Sequence, residues 1–94
     1  MEANANVLRK EFTINNKLGL HARPAAMFVK LANQFQAEIW VGQEDEQVNG
    51  KSIMGLMMLA APGGSTISIS AEGEDAGEAV EALGGLVQGG FQEN

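Results

Sequence analysis

Residues 65–71 read Ser-Thr-Ile-Ser-Ile-Ser-Ala, an alternation of hydroxyl and apolar side chains with a period of two. Successive strand residues point to opposite faces, so Ile67, Ile69 and Ala71 are expected inward and the hydroxyls outward. That pattern describes a sheet wet on one face, which needs a layer of helices on the other face only.

The flanking segments supply the remaining pieces. Residues 7–14 set Leu8, Phe12 and Ile14 on one face of an alternating run interrupted by Lys10, which predicts a first strand. Residues 22–35 space Ala25, Phe28, Leu31, Ala32 and Phe35 three and four apart, as in an amphipathic helix burying one stripe. From Ala37 to Val41 a second strand is expected, with Ile39 inward and Trp40 as a structural cover. Gln43-Glu44-Asp45-Glu46 then reads as a polar turn into a short third strand around Val48.

Gly50 ends that strand, and Ser52 is placed to cap a short helix from Ile53 to Leu59. Pro62-Gly63-Gly64 is a turn signal. A last helix is expected from about Asp75, with Glu78 completing a capping-box-like spacing and Ala79, Leu83, Leu86 and Val87 turned to the core. Gly77, Gly84 and Gly85 lower its intrinsic stability by about 1 kcal/mol each, so packing must hold it until Gly89-Gly90 ends it. The order βαββαβα predicts an α+β domain, three helices on one side of a four-stranded sheet. Residues 1–94 are expected to form one such domain, with 1–6 as a flexible lead.

Composition excludes several function classes. The 94 residues suffice for one modest core but not for separate nucleotide and substrate domains. There is no cysteine, so disulfides and thiolate chemistry are absent, as suits a reducing cytoplasm. One histidine and scattered carboxylates give no zinc or calcium spacing, so neither a metal nor a cofactor is expected. A net charge of −6 and the lack of a basic stripe argue against nucleic acid. No apolar run approaches the ~20 residues of a membrane span, and no signal peptide is recognisable; a cytoplasmic location is expected.

The candidate site lies in Asn15-Asn-Lys-Leu-Gly-Leu-His-Ala-Arg-Pro-Ala-Ala-Met-Phe28, where the only histidine stands at the predicted start of a helix. A neutral imidazole can attack phosphorus without a separate base. The phosphoryl group it gained would carry about two negative charges, which helix-start amides and the helix dipole favour. Arg23, two positions on, adds a fork of charge-assisted donors. Pro24 falls in the first turn and biases Arg23 away from ordinary helical angles. An isolated histidine beside a helix start is more often a cap or a solvated residue, so the neighbours decide its meaning.

Gly19-Leu-His-Ala-Arg-Pro-Ala25, followed by Gly50-Lys-Ser-Ile-Met-Gly-Leu-Met57, closely resembles the HPr family, the histidine-containing phosphocarriers of the bacterial phosphoenolpyruvate-dependent phosphotransferase system. The resemblance runs from about Phe12 to Phe91. It implies an antiparallel open-faced sandwich and a stoichiometric carrier rather than an enzyme. Enzyme I would phosphorylate Nδ1 of His21, Arg23 would stabilise the phosphate, and a IIA protein or domain would accept it. Residues 48–65 and 86–94 look like the nitrogen-regulatory branch, whereas Ser52-Ile53-Met54 look like the sugar branch. The rival reading is a non-covalent regulator on the same scaffold; members of that kind typically lack the histidine.

Gly50-Lys51-Ser52 is not a nucleotide-binding P-loop, because the first glycine of such a loop would fall on Asp45, whose carboxylate would repel phosphate. Ser52 matches the serine that a dedicated HPr kinase/phosphorylase modifies in some relatives. The helix after it carries more apolar residues than one side can bury, so Leu56 and Leu59 are expected inward and Ile53, Met54 and Met57 on a surface that meets partners.

Overall fold

The computed structural model describes residues 7–93; the expected flexible lead, residues 1–6, lies outside them. The elements are β1 (Val7–Thr13), α1 (Ala22–Ala32), β2 (Glu38–Gln43), β3 (Glu46–Asn49), α2 (Ile53–Leu59), β4 (Thr66–Glu72) and α3 (Ala76–Gln88), followed by a 3-10 turn at Gly90–Gln92. The four strands form one antiparallel sheet in the order β1-β4-β2-β3. This is the α+β architecture the alternation at 65–71 requires.

Register shows why one face is covered. Ala71 pairs with Leu8 and Ile39, Ile69 with Lys10 and Val41, and Ile67 with Phe12, so these side chains share a face. Against it lie Phe28, Ala25 and Ala32 of α1, Leu56 and Leu59 of α2, and Ala79, Val80, Leu83 and Val87 of α3, all buried. Leu86, expected inward, is half-buried at the margin.

Three details at the sheet differ from expectation. Ser68 and Ser70 are on the open face but buried, on the interior strand β4: Arg9 and Trp40 flank Ser70, while Ser68 lies between Glu11 and Gly42. Leu8 has the expected face yet is 45% exposed: α3 presents Gly77 to it, which has no side chain to cover it. Lys10, the polar residue in the alternation, reaches out to the Glu81 carboxylate on α3. A helix glycine also gains its explanation here: a Cβ on Gly84 would sit 2.2 Å from the Phe12 ring. The intrinsic cost of that glycine is the condition for α3 lying close on β1.

Element ends shift for local reasons. α1 stops at Ala32 rather than Phe35, unwinding through Gln34 N–H to Leu31 O and Phe35 N–H to Ala32 O. Phe35 still packs against the core. The polar turn shortens to Glu44-Asp45, because Gln43 and Glu46 pair with each other; Glu44 takes φ 55° to close it. At the start of α3, Asp75 is the cap residue but forms no capping bond. Its carboxylate instead accepts from the amides of Gln36 (2.8 Å) and Ala37 (2.9 Å), tying the end of the α1–β2 loop to α3.

Candidate functional site

The connection from β1 to α1 is held against the turn before β4. Leu20 N–H donates to Ala61 O and Gly64 N–H to Ile14 O. Gly19 makes the approach possible: it has φ 72°, and a Cβ there would lie 2.1 Å from Ala61 O. The next turn of chain, closed by His21 N–H to Gly19 O at 3.0 Å, delivers His21 to the helix start.

His21 is the cap residue of α1, with extended angles (φ −89°, ψ −168°), and its side chain makes no capping bond. The first intrahelical bond runs from Ala25 N–H to His21 O. Pro24 has no N–H, so Ala22 and Arg23 carry the first-turn amides that lack an intrahelical acceptor. These are the donors that can hold an anion near the ring. The imidazole is 37% exposed, reachable from solvent yet partly walled, and Arg23 is exposed in the same turn. Both line an open depression of about 1030 Å³, together with Asn16, Lys17, Leu18 and Glu93.

Sequence patterns give no signal for two residues at this site. Glu93 lies against the ring, its Oε2 3.3 Å and Oε1 3.4 Å from His21 Nε2. Asn16, buried, donates from Nδ2 to Gly19 O at 2.9 Å and to Glu93 Oε1 at 3.0 Å. Asn16 stands five positions before the histidine, a feature visible in the sequence but uninformative without its partner. Glu93 is 72 positions away in the chain, and only the path of the C-terminal turn brings it near.

Ser52 stands apart from this depression, at the start of α2, where its Oγ accepts from Gly55 N–H at 2.9 Å. α2 divides as its composition requires: Leu56 and Leu59 are buried, whereas Ile53, Met54, Met57 and Met58 are 43–74% exposed. The four exposed residues line an apolar hollow of about 590 Å³. A smaller hollow is lined by His21, Leu18, Ala22 and Met57 together, so the apolar face runs up to the imidazole. Among the described residues, no group of three or more histidine, cysteine or acidic side chains could hold a metal ion. None of the described helices is long and apolar enough to cross a membrane.

The described residues thus form an open-faced α+β fold with a partly exposed imidazole at the cap position of α1, lining an open depression on the surface. Residues 8–89 match the family model described as the PTS HPr component phosphorylation site. The chain is 51% identical over 87 residues to the phosphocarrier protein HPr of Neisseria meningitidis serogroup A, covering 93% of this chain and 98% of that one. It is also 51% identical over 77 residues to the HPr-like protein Crh of Halalkalibacterium halodurans, covering 82% of this chain and 92% of the other. The crystal structure of HPr-C-His from Thermoanaerobacter tengcongensis superposes with a TM-score of 0.88 at 46% identity, over 93% of this chain and 98% of that one. The chain belongs to the HPr family of the phosphotransferase system.

Proposed function

We propose that this chain accepts a phosphoryl group on His21 from phosphorylated Enzyme I and passes it to a IIA protein or domain in the cytoplasm. The observation that carries the reading is the start of α1: a solvent-reachable imidazole at the cap position, beside two first-turn amides with no intrahelical acceptor and an exposed Arg23. In the transfer, the Nδ1 lone pair forms the new N–P bond as the bond between phosphorus and the donor breaks, its electron pair staying with the donor. The amides of Ala22 and Arg23 and the Arg23 guanidinium offset the charge on the transferring group. The chain acts as a stoichiometric relay. Partners dock on Ile53, Met54 and Met57, an adaptable apolar surface that adjoins the ring.

Incubation with phosphoenolpyruvate and Enzyme I, followed by intact mass measurement, tests this. One acid-labile phosphoryl group should appear, and it should be lost in His21→Ala. No mass gain with an Enzyme I that phosphorylates another HPr would overturn the carrier reading in favour of a purely non-covalent regulator. The likeness to Crh gives that second reading its weight, and the presence of His21 weighs against it.

At Ser52, phosphorylation by an HPr kinase/phosphorylase would regulate docking. A phosphate there is tolerated by the positive end of α2 but places about two negative charges next to Ile53 and Met54. An acid-stable phosphate formed with ATP and such a kinase, absent in Ser52→Ala, is the expected result. Whether the acceptor serves sugar uptake or nitrogen signalling is decided by which IIA protein takes the phosphate fastest.

A further inference from the structure

We infer that Glu93 is a positioning residue for His21, holding a proton on Nε2 so that Nδ1 keeps the lone pair, with Asn16 orienting the Glu93 carboxylate. This rests on the carrier reading above and adds to it a function for the C-terminal turn.

A carboxylate can only accept at His21, so its place 3.3–3.4 Å from Nε2 requires the hydrogen to be on that nitrogen. In the neutral ring the other nitrogen, Nδ1, is then the one that carries the lone pair and is available as the nucleophile. The separation is at the long end for such a bond, as is common in catalytic pairs before the partner arrives. Asn16 is the second link: one Nδ2 donates both to Gly19 O and to Glu93 Oε1, coupling the turn that carries the histidine to the carboxylate facing it.

The chain is shaped to bring Glu93 there. Gly90, Phe91 and Gln92 all have φ between 56° and 73°, which turns the backbone sharply after α3. Such angles are unfavourable for Phe91 and Gln92, and something must hold them. Phe91 does so as a buried anchor, 1% exposed, and Asn15 Nδ2 donates to Gln88 O at the helix end. Among the described residues Glu93 pairs with His21 and Asn16, and neither Arg23 nor Lys17 pairs with it. The cations are left for the incoming phosphoryl group.

The charge balance is consistent through the cycle. When Nδ1 bonds to phosphorus, Nε2 keeps its hydrogen and the ring becomes cationic; the Glu93 carboxylate faces that new charge. On onward transfer the N–P bond breaks, its electron pair returns to Nδ1, and the ring is neutral again without a proton having left.

The test compares Glu93→Ala, Glu93→Gln and Glu93→Asp with the wild type. Loss of one charge-assisted bond should slow phosphoryl uptake from Enzyme I on the order of tenfold in Glu93→Ala. Glu93→Gln, which can still accept from Nε2 but has no charge, should fall between, and Glu93→Asp should recover part of the rate. Nitrogen NMR of the ring in the unphosphorylated chain should show the Nε2–H form losing population in Glu93→Ala, at an unchanged thermal midpoint. Wild-type rates and wild-type nitrogen resonances in Glu93→Ala would overturn the positioning role while the carrier reading stood. A wild-type chain that takes no phosphate would overturn the carrier reading and this role with it.

Discussion

Ser52 and His21 hold the same position at the starts of two helices, and both have the extended backbone a cap residue needs. They differ in the residue three positions on. After Ser52 this is Gly55, whose N–H is taken by the Ser52 hydroxyl. After His21 it is Pro24, which has no N–H to give. One start is closed by its own side chain; at the other the His21 side chain makes no capping bond, and the amides of Ala22 and Arg23 have no intrahelical acceptor. Helix-start donors can stabilise the fold or serve a ligand; α2 does the first, and on the reading proposed above α1 does the second.

The strongest way to break that contrast is to turn the open start into a closed one. In His21→Ser, phosphoryl uptake should fall to nothing by intact mass. Stability should change by less than ~0.5 kcal/mol in urea unfolding, because Pro24 denies the hydroxyl its usual third-position partner. A gain of a full ~1 kcal/mol cap would show that the proline does not keep this start open.

Arg23→Ala comes next. Transfer should slow about tenfold, the loss of one charge-assisted contact to the phosphoryl group. Stability should stay within ~0.5 kcal/mol, as for other exposed cations. Unchanged transfer rates would leave the amides of Ala22 and Arg23 to act alone.

At the closed start the signs reverse. Ser52→Ala should lower stability by about 1 kcal/mol, which for a domain of this size is a fall of ~4–8 °C in Tm, and should leave phosphoryl uptake on His21 intact. Ser52→Asp keeps a capping oxygen, so it should hold Tm near wild type while weakening docking at Ile53 and Met54. A Ser52→Ala chain with an unchanged Tm would show the Gly55 bond to be worth nothing.

Most of the fold was legible because periodicity reports faces. The Ile-Ser alternation placed Ile67, Ile69 and Ala71 correctly, and the 3.6-residue spacing found the buried stripes of α1 and α3. Neighbours across strands and between sheet and helix were not legible, which is why Ser68 and Ser70 turned out covered and Leu8, facing Gly77, uncovered. The same limit applied to the site. His21 and Arg23 belong to one local motif, whereas Glu93 reaches the ring only through the positive-φ turn at 90–92, a conformation its residues Phe91 and Gln92 do not announce. Asn16 was in plain view but acquires meaning only from that distant carboxylate.

The third helix start, that of α3, is a further variation and carries the smallest expected effect. Asp75 looks like a capping residue in sequence, with Glu78 three positions on, but its two oxygens serve the amides of Gln36 and Ala37 across the fold. The Gln36 amide above all holds this carboxyl below the ordinary carboxylate range; desolvation opposes the shift, while the Ala37 amide and the Lys51 charge add to it. A group whose pKa is lowered by folding contributes stability that is complete above its unfolded pKa and is lost as pH falls through the folded value. Urea midpoints of the wild type and Asp75→Asn should therefore differ at pH 7 and converge as the solution is acidified below about pH 4, where the unfolded carboxyl already binds its proton. The asparagine can accept from one of the two amides but presents an N–H to the other, so it is the less stable chain at neutral pH. A gap of constant size from pH 7 to pH 3 would mean that Asp75 acts by shape alone, and that only two of the three helix starts are distinguished by charge.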